Sequence, residues 1–164
     1  MIMPSERLEI VSHSPEHTGR LGRVLADWAP KGSVIALRGE LATGKTCLVR
    51  GMAQAFAQEP PVHSPTFTLV NEYGDQHKLY HVDLYRIDDL RALDTLGYED
   101  LFEPDGVCVI EWAERAEAAL PLRRLDVFLQ HAGENTRRLI FVNRDLLTEG
   151  WQQALASLDP LEGQ

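Results

Sequence analysis

Hydrophobic spacing near the start of the chain predicts a strand followed by a helix. Leu8 and Ile10 alternate with polar residues, which is typical of a short strand. Ser14 and Pro15 then favour a helix start, because a hydroxyl can cap the first turn and proline fits the first helical position. Apolar residues recur at helical spacing as far as Trp28, and the proline and glycine that follow end this helix.

Compact apolar runs farther along predict buried strands. Ser33–Leu37 has the continuous hydrophobic character of a buried parallel strand. Gly106–Trp112 is predicted as a strongly apolar strand with the run Val107–Ile110 at its centre, and Leu79–Asp83 as another strand. A helix ending at Pro60-Pro61 is predicted from four apolar residues on one face, Leu48, Met52, Ala55 and Phe56.

The remaining segments complete an α/β pattern. Val62–Tyr73 is predicted as a loop that leads into a strand, and Asp88–Phe102 as two short helices broken at Gly97. Leu125–His131 and Arg137–Val142 alternate around a turn and predict an antiparallel hairpin. A last helix follows from the stripe Trp151, Ala154, Leu155 and Leu158. We therefore predict one domain over residues 1–164, with a mixed, mainly parallel sheet flanked by helices and a C-terminal hairpin.

Composition is that of an ordinary globular protein. The 164 residues are 44% hydrophobic and 25% charged, enough for one hydrophobic core. No apolar run approaches the roughly 20 residues that span a bilayer, and the N-terminus lacks the pattern of a signal peptide. Only two cysteines occur, Cys47 and Cys108, so we expect a cytoplasmic protein without disulfides and without a membrane partner.

The net charge limits the classes of partner. At −9, the chain lacks the basic excess with which proteins neutralise nucleic-acid phosphates. Four arginines leave two interpretations open, a local basic patch or ordinary surface charges: Arg123, Arg124, Arg137 and Arg138.

One motif carries specific chemistry. Gly39–Thr46 matches the pattern G-x-x-x-x-G-K-[ST] between a predicted strand and a predicted helix. Such a loop turns successive amides inward around phosphate oxygens, while the helix dipole favours the same anion. Lys45 can reach the β- and γ-phosphates, and Thr46 can ligate Mg²⁺. The predicted nucleotide-binding residues here are Gly39, Leu41, Ala42, Thr43, Gly44, Lys45, Thr46 and Cys47.

Two acids complete the predicted site. Glu111 ends the apolar strand Val107–Ile110, and Asp83 ends another strand. Because ligands gather at the carboxyl ends of strands in open α/β sheets, either acid can serve a bound Mg²⁺. The sequence leaves open which of them contacts the metal.

The motifs together resemble the bacterial TsaE family. Their order and spacing agree over about Leu21–Pro121, and the second and third elements are more specific than the phosphate loop alone. The matching elements are Gly39–Thr46, S-P-T-F at Ser64–Phe67, H-V-D-L-Y-R at His81–Arg86, and I-E-W at Ile110–Trp112.

This resemblance implies an ATPase of tRNA threonylcarbamoyladenosine (t6A) biosynthesis, working with TsaB and TsaD. It implies catalytic roles for Lys45, Asp83 and Glu111, with ATP and Mg²⁺ as cofactors and the metal held by Thr46 and Glu111. The partners, not this chain, would hold the tRNA.

Further residues gain roles from the resemblance. Ser64 and Thr66 would belong to a switch-like loop that senses the γ-phosphate. Trp112 would be an aromatic residue of the nucleotide site, with core packing as the alternative. Tyr85 and Arg86 would contact a partner or the nucleotide, or lie on the surface without either role.

Two residues depart from the family pattern. Ala42 stands where the family usually has glycine, and would be strained if that position needs a positive φ. Cys47 stands where threonine is common, and is either a thiol activated by the helix terminus or a small filler.

Two other functions stay open on the sequence alone. A P-loop small-molecule kinase would need an arginine-bearing lid, and Leu90–Glu103 is short for one, with Arg91 as its only arginine. A nucleotide-gated binding module without catalysis is the third possibility.

Overall fold

A computed structural model describes residues 6–57, 70–87, 91, 97–102 and 105–158. In chain order its elements are β1 (Arg7–Ser12), α1 (Pro15–Trp28), β2 (Ser33–Arg38), α2 (Lys45–Ala53), β3 (Val70–Tyr73), β4 (Leu79–Asp83), α3 (Tyr98–Leu101), β5 (Val107–Glu111), a 3₁₀ segment (Ala113–Ala119), β6 (Arg124–His131), β7 (Arg137–Arg144) and α4 (Trp151–Ala156).

A seven-stranded sheet organises the described residues, in the order β1-β7-β6-β2-β5-β4-β3. The four central strands, β6, β2, β5 and β4, run parallel to one another. The outer pairings, β1 with β7, β7 with β6 and β3 with β4, are antiparallel. This arrangement confirms the predicted α/β class, the mixed sheet and the C-terminal hairpin.

Hydrophobic residues cover both faces of the central strands. Ile35 and Leu37 of β2 lie on the face that packs against α1 and α2, where Leu21 and Met52 are fully buried. The alternate residues of the central strands form a second cluster with the 3₁₀ segment, including Ala36. Burial of every residue in β5 explains its continuous apolar sequence.

Helix α1 begins as the sequence predicts and packs closely on α2. The Ser14 side chain accepts a hydrogen bond from the His17 amide at 3.1 Å, and proline occupies the first turn. Glycines allow the two helix backbones to meet: a Cβ on Gly22 would lie 2.2 Å from the Leu48 carbonyl oxygen, and one on Gly51 would lie 1.8 Å from that of Gly19. This contact fixes the start of α2 beside the start of α1.

Several predicted boundaries differ from the structure. Helix α2 ends at Ala53, before Pro60-Pro61, and residues 54–57 form turns in which Ala55 and Phe56 still pack against the core. Strand β5 ends at Glu111, one residue before the predicted limit at Trp112. Helix α4 ends at Ala156, so Leu158 contacts the core from beyond it.

Other predicted segments fall partly outside the described residues. Of the two helices predicted over Asp88–Phe102, the structure describes Tyr98–Leu101 and a helical Arg91. Of the loop and strand predicted over Val62–Tyr73, it describes the strand Val70–Tyr73. Searched over the described residues, no helix has both the length and the hydrophobicity to cross a bilayer.

The four arginines considered as a basic patch are engaged within the protein. Arg124 is buried and pairs with Asp126 at 3.0 Å, and Arg138 pairs with Glu9 at 2.5 Å. Arg123 and Arg137 donate to backbone carbonyl groups. Arg123 and Arg138 are exposed, as expected of ordinary surface charges, whereas Arg124 is buried and the prediction of a surface charge is wrong for it.

Candidate functional site

The loop between β2 and α2 has the backbone conformation expected of an anion nest. Gly44 caps α2 with a φ of 101° and Ala42 has a φ of 61°, so two of its residues adopt the left-handed region. Gly39 fits against β6, where an added Cβ would lie 2.5 Å from the Leu129 carbonyl oxygen. Ala42 therefore has the positive φ at which an alanine side chain is strained.

Lys45 lies inside the loop with little exposure to solvent. Its ammonium group donates to the carbonyl oxygens of Gly39 and Glu40, the latter at 2.9 Å, and lies 3.9 Å from the centre of the Trp112 ring. Burial lowers the pKa of Lys45, while the acids around it, Glu111 foremost, act in the opposite direction. The ammonium group is thus enclosed between the loop carbonyl groups and the indole.

Thr46 and Glu111 meet at the carboxyl end of β5. The Thr46 hydroxyl donates to Glu111 at 3.1 Å from Oε1 and 3.3 Å from Oε2, and only 3% of Glu111 is exposed. His81 of β4, fully buried, places its Nε2 atom 2.5 Å from Glu111 Oε2. A chain of contacts therefore runs from α2 through β5 to β4.

Asp83 lies beside Glu111 because the two residues are register partners in parallel strands. Its Oδ1 atom accepts a hydrogen bond from the Tyr85 amide at 2.9 Å. Burial raises the pKa of Asp83, and the charge of Glu111 adds to the effect, although the Tyr85 hydrogen bond and the charge of Lys45 oppose it. The carboxyl of Asp83 thus shares the electrostatic environment of Lys45.

Aromatic rings border the same end of the sheet. Trp112 turns sharply after β5 with a φ of 59°, and its ring centre lies 5.0 Å from that of Tyr85. Arg115, which the sequence reasoning did not single out, has its guanidinium 5.7 Å from the Tyr85 ring and 6.0 Å from the Trp112 ring. Trp112 packs against the second core cluster and also covers Lys45. Its predicted core packing is therefore confirmed, and its role at the nucleotide site stays a prediction.

The β6–β7 hairpin holds the loop from the other side. His131 Nε2 lies 3.1 Å from the Leu41 carbonyl oxygen, and Arg137 donates to that of Ala42 at 3.3 Å. A cavity of about 70 Å³ separates the hairpin from α1 and α2. Its lining is Ser14, Pro15, Thr18, Ala42, Gly44, Cys47, Asn135 and Arg137.

Cys47 does not have the environment of an activated thiol. Burial raises its pKa, and its Sγ atom lies 3.1 Å from the Pro15 carbonyl oxygen. The filler interpretation therefore fits this residue better than the activated one.

The oxygen groups at this end suit a Mg²⁺ ion. Mg²⁺ prefers hard oxygen ligands and is commonly bound through one or two carboxylates together with phosphates and water. The Thr46 hydroxyl and the Glu111 carboxylate supply such oxygens side by side. Within the described part of the chain no group of three or more His, Cys, Asp or Glu side chains gathers as a metal cluster.

Comparison with known proteins identifies the family. Residues 12–139 match the family model described as Threonylcarbamoyl adenosine biosynthesis protein TsaE, a span that includes the loop, Asp83 and Glu111. The chain belongs to the TsaE family. The motifs that suggested this resemblance therefore belong to one family, which is described as acting in threonylcarbamoyl adenosine biosynthesis.

Relatives of the TsaE family support the assignment over most of the chain. The TsaE protein of Bacillus subtilis is 38% identical over 78% of this chain and 80% of its own length. That of Treponema pallidum is 37% identical over 80% of this chain and 98% of its own length. The crystal structure of YdiB from Bacillus subtilis aligns with a TM-score of 0.68 and 29% identity, covering 95% of this chain and 94% of that one.

The structure brings together most of the residues predicted for this TsaE-family site. Lys45, Thr46, Asp83, Glu111 and Trp112 lie within one cluster of contacts. Ser64 and Thr66 lie outside the described residues, as does most of the segment considered as a kinase lid.

Sequence reasoning left one buried polar residue out of the site. The sequence predicts a structural role for His81, two residues before Asp83, and the residue does lie in the core, but its ring also contacts Glu111 directly. The two-residue spacing from Asp83 was a usable signal, because it places both side chains on the same face of β4.

Proposed function

We propose that this chain binds ATP and Mg²⁺ at Gly39–Thr46 and hydrolyses the nucleotide as the ATPase of the t6A machinery. The observation that carries the proposal is the convergence of Lys45, Thr46 and Glu111 at the carboxyl ends of adjacent parallel strands and the start of α2. Membership of the TsaE family supplies the biosynthetic setting.

The glycine-rich loop would bind the phosphate chain. The amide groups at the start of α2, with the positive end of its dipole, favour an anion. The Lys45 ammonium would exchange part of its contact with the Glu40 carbonyl for the β- and γ-phosphate oxygens. The indole of Trp112, 3.9 Å from that ammonium, excludes water from one side of it.

The carboxyl groups would serve hydrolysis. Thr46 and Glu111 would hold Mg²⁺, which supplies charge neutralisation on the β- and γ-phosphate oxygens. Asp83 would orient the water whose oxygen attacks the γ-phosphorus, giving ADP and inorganic phosphate. The raised pKa of Asp83 suits a group that accepts a hydrogen bond from that water and receives its proton as the bond to phosphorus forms.

The family and the net charge of the chain support a cellular setting and a set of partners for this activity. The chain would act in the cytoplasm with TsaB and TsaD, and its hydrolysis cycle would change its affinity for them. The net charge of −9 and the internal engagement of the four arginines support contact with tRNA only through those partners. Ser64 and Thr66 would provide the segment that senses the γ-phosphate.

Nucleotide binding can be tested by calorimetry with a non-hydrolysable ATP analogue, with and without Mg²⁺. Lys45→Ala should weaken binding about 10- to 150-fold, the loss expected for a charge-assisted contact of about 1.5–3 kcal/mol. Lys31→Ala removes an exposed lysine outside the site and is the matched control. Equal affinity for the parent and the Lys45→Ala variant would refute the proposed site.

Catalysis needs a second experiment. Phosphate release should be slow for the chain alone, faster with TsaB and TsaD, and lost in Asp83→Ala. Equal rates with and without the partners would argue against the partner-dependent mechanism. Transfer of phosphate to a screened metabolite would instead favour a small-molecule kinase, and full pathway output from an Asp83→Ala, Glu111→Ala double variant would favour a binding module.

A further inference from the structure

His81 occupies the interior of the protein through the register of the sheet. It pairs with Val109 of β5, and both residues are fully buried. The Tyr73 ring of β3 stacks against the imidazole with 6.3 Å between the ring centres. Since an imidazole is rarely buried completely without a polar partner, its contact with Glu111 explains why histidine stands here.

The surroundings of the imidazole determine which nitrogen carries the proton. Nε2 lies 2.5 Å from Glu111 Oε2, while Nδ1 is buried with no hydrogen-bond partner among the described residues. A proton on Nε2 turns the short contact into a hydrogen bond donated to a carboxylate, the stronger charge-assisted kind. The tautomer protonated at Nδ1 would instead place two lone pairs in contact, so Nε2–H is the favoured form.

The two Glu111 carboxylate oxygens have different nearest neighbours. Oε2 is directed inward by His81, whereas Oε1 is the oxygen nearer to the Thr46 hydroxyl, at 3.1 Å. Without the donor, a carboxylate with 3% exposure could turn its oxygens inward or outward. The oxygen available at the start of α2 would then not be fixed in position.

We infer that His81 is a positioning residue that orients Glu111 toward a divalent cation at Thr46 by donating from Nε2 to Oε2. The inference rests on the proposed function, since it assumes that Glu111 and Thr46 hold Mg²⁺ with the nucleotide. Donors behind metal ligands commonly change metal affinity or activity 10- to 100-fold when they are removed.

The test measures how binding of a non-hydrolysable ATP analogue depends on the Mg²⁺ concentration. The midpoint is the Mg²⁺ concentration that gives half-maximal binding. His81→Phe keeps a ring and removes the donor, and should raise this midpoint about tenfold. Nucleotide affinity in the presence of a chelator should stay within about twofold, because the loop itself is unchanged. His81→Gln, whose amide nitrogen reaches the position of Nε2, should restore the midpoint to within about threefold of the parent.

Controls separate positioning from general damage. His77→Phe alters an exposed histidine that stacks on Phe56 and should leave the midpoint unchanged. In a Glu111→Ala background, which removes the acceptor, His81→Phe should produce no further shift, because the two residues act through one hydrogen bond. If His81→Phe does not unfold cooperatively, His81→Asn takes its place, since its amide stops at about the position of Nδ1.

A midpoint unaffected by His81→Phe, or by His81→Asn where that variant is used, overturns the inference. If the parent shows no Mg²⁺-dependent nucleotide binding, the proposed function itself fails, which is a different result. Nitrogen NMR of the imidazole gives a readout independent of nucleotide: a proton on Nε2 supports the inference, and a proton on Nδ1 alone overturns it.

Discussion

Ala42 is the residue of the glycine-rich loop whose conformation and side chain disagree. Its φ of 61° places it in the left-handed region, where a Cβ crowds the backbone. Arg137 donates to its carbonyl oxygen and His131 contacts that of Leu41, so the hairpin maintains a conformation that alanine itself disfavours. Strain of this kind persists only where the surroundings enforce it.

Replacing this alanine should therefore relieve strain. We expect Ala42→Gly to stabilise the fold by about 1 kcal/mol, which raises the melting temperature by about 2–4 °C in a chain of this size, or to tighten nucleotide binding. Ala156→Gly, in the exposed last turn of α4, is the matched control and should destabilise by about 0.5–1 kcal/mol. Thermal unfolding and calorimetry give both values. An Ala42→Gly protein with the melting temperature and affinity of the parent would contradict this account.

At the scale of elements, a buried charge network joins the central strands to the hairpin. Asp126 of β6 is fully buried and accepts hydrogen bonds from Arg38 of β2 at 2.8 Å, from Arg124 at 3.0 Å and from Arg144 of β7 at 2.6 Å. Glu117 of the 3₁₀ segment pairs with Arg38 as well. One carboxylate thus connects three strands on the face opposite α1 and α2.

Removing the charge of Asp126 should be costly, because three guanidinium groups would lose their shared negative partner. Asp126→Asn is expected to lower the free energy of unfolding by about 3–5 kcal/mol, the usual consequence of breaking a buried ion pair. Asp27→Asn, which removes an exposed partner of Arg23, should change it by no more than about 0.5 kcal/mol. Urea unfolding measures both differences.

The loss of stability caused by Asp126→Asn should depend on pH. Burial by itself would raise the pKa of Asp126, but hydrogen bonds from Arg144, Arg38 and Arg124 outweigh it and leave the pKa below its ordinary value. The stabilisation is then present above the unfolded pKa, near about 3.9, and is lost as the pH falls through the lower folded value. The difference in free energy of unfolding between the parent and Asp126→Asn should therefore shrink below about pH 4. A difference that stays constant from pH 7 to pH 3 would contradict this prediction.

At the scale of the whole molecule, stability should be graded from the centre of the sheet to its edges. Strands β2 and β5 have neighbours on both sides and are buried over nearly their whole length, whereas β1 and β3 end the sheet. We expect amide hydrogens of β2 and β5 to exchange only through global unfolding, and those of β1 and β3 faster. Uniform protection across the seven strands would be inconsistent with this gradient.

Much of this architecture could be predicted from local signals. The Ser14–Pro15 start of α1, the apolar runs of β2 and β5 and the loop at Gly39–Thr46 each act within a few residues. The end of α2 could not, because Phe56 continues the apolar spacing while packing against the core from a turn. Apolar residues at helical spacing indicate which side chains are buried, but a buried side chain does not have to lie in a helix.

Pairings between strands far apart in sequence explain the features that could not be predicted. The insertion of β6 beside β2 joins segments about ninety residues apart, which no local pattern encodes. The contact of His81 with Glu111 and the grouping of arginines around Asp126 depend on that strand order. The sequence therefore indicated which residues gather at the candidate site, but not which of their neighbours contact them.

The shared register of β2, β4 and β5 restricts how chain length can vary during evolution. Asp83, Glu111 and Leu37 lie in one row across these strands. One residue inserted within β5 would send the Glu111 carboxylate to the opposite face, and two would carry it about 6–7 Å past Thr46. Insertions and deletions should therefore collect at turns such as residues 132–136, and homologues that differ in length should still align without gaps through these three strands.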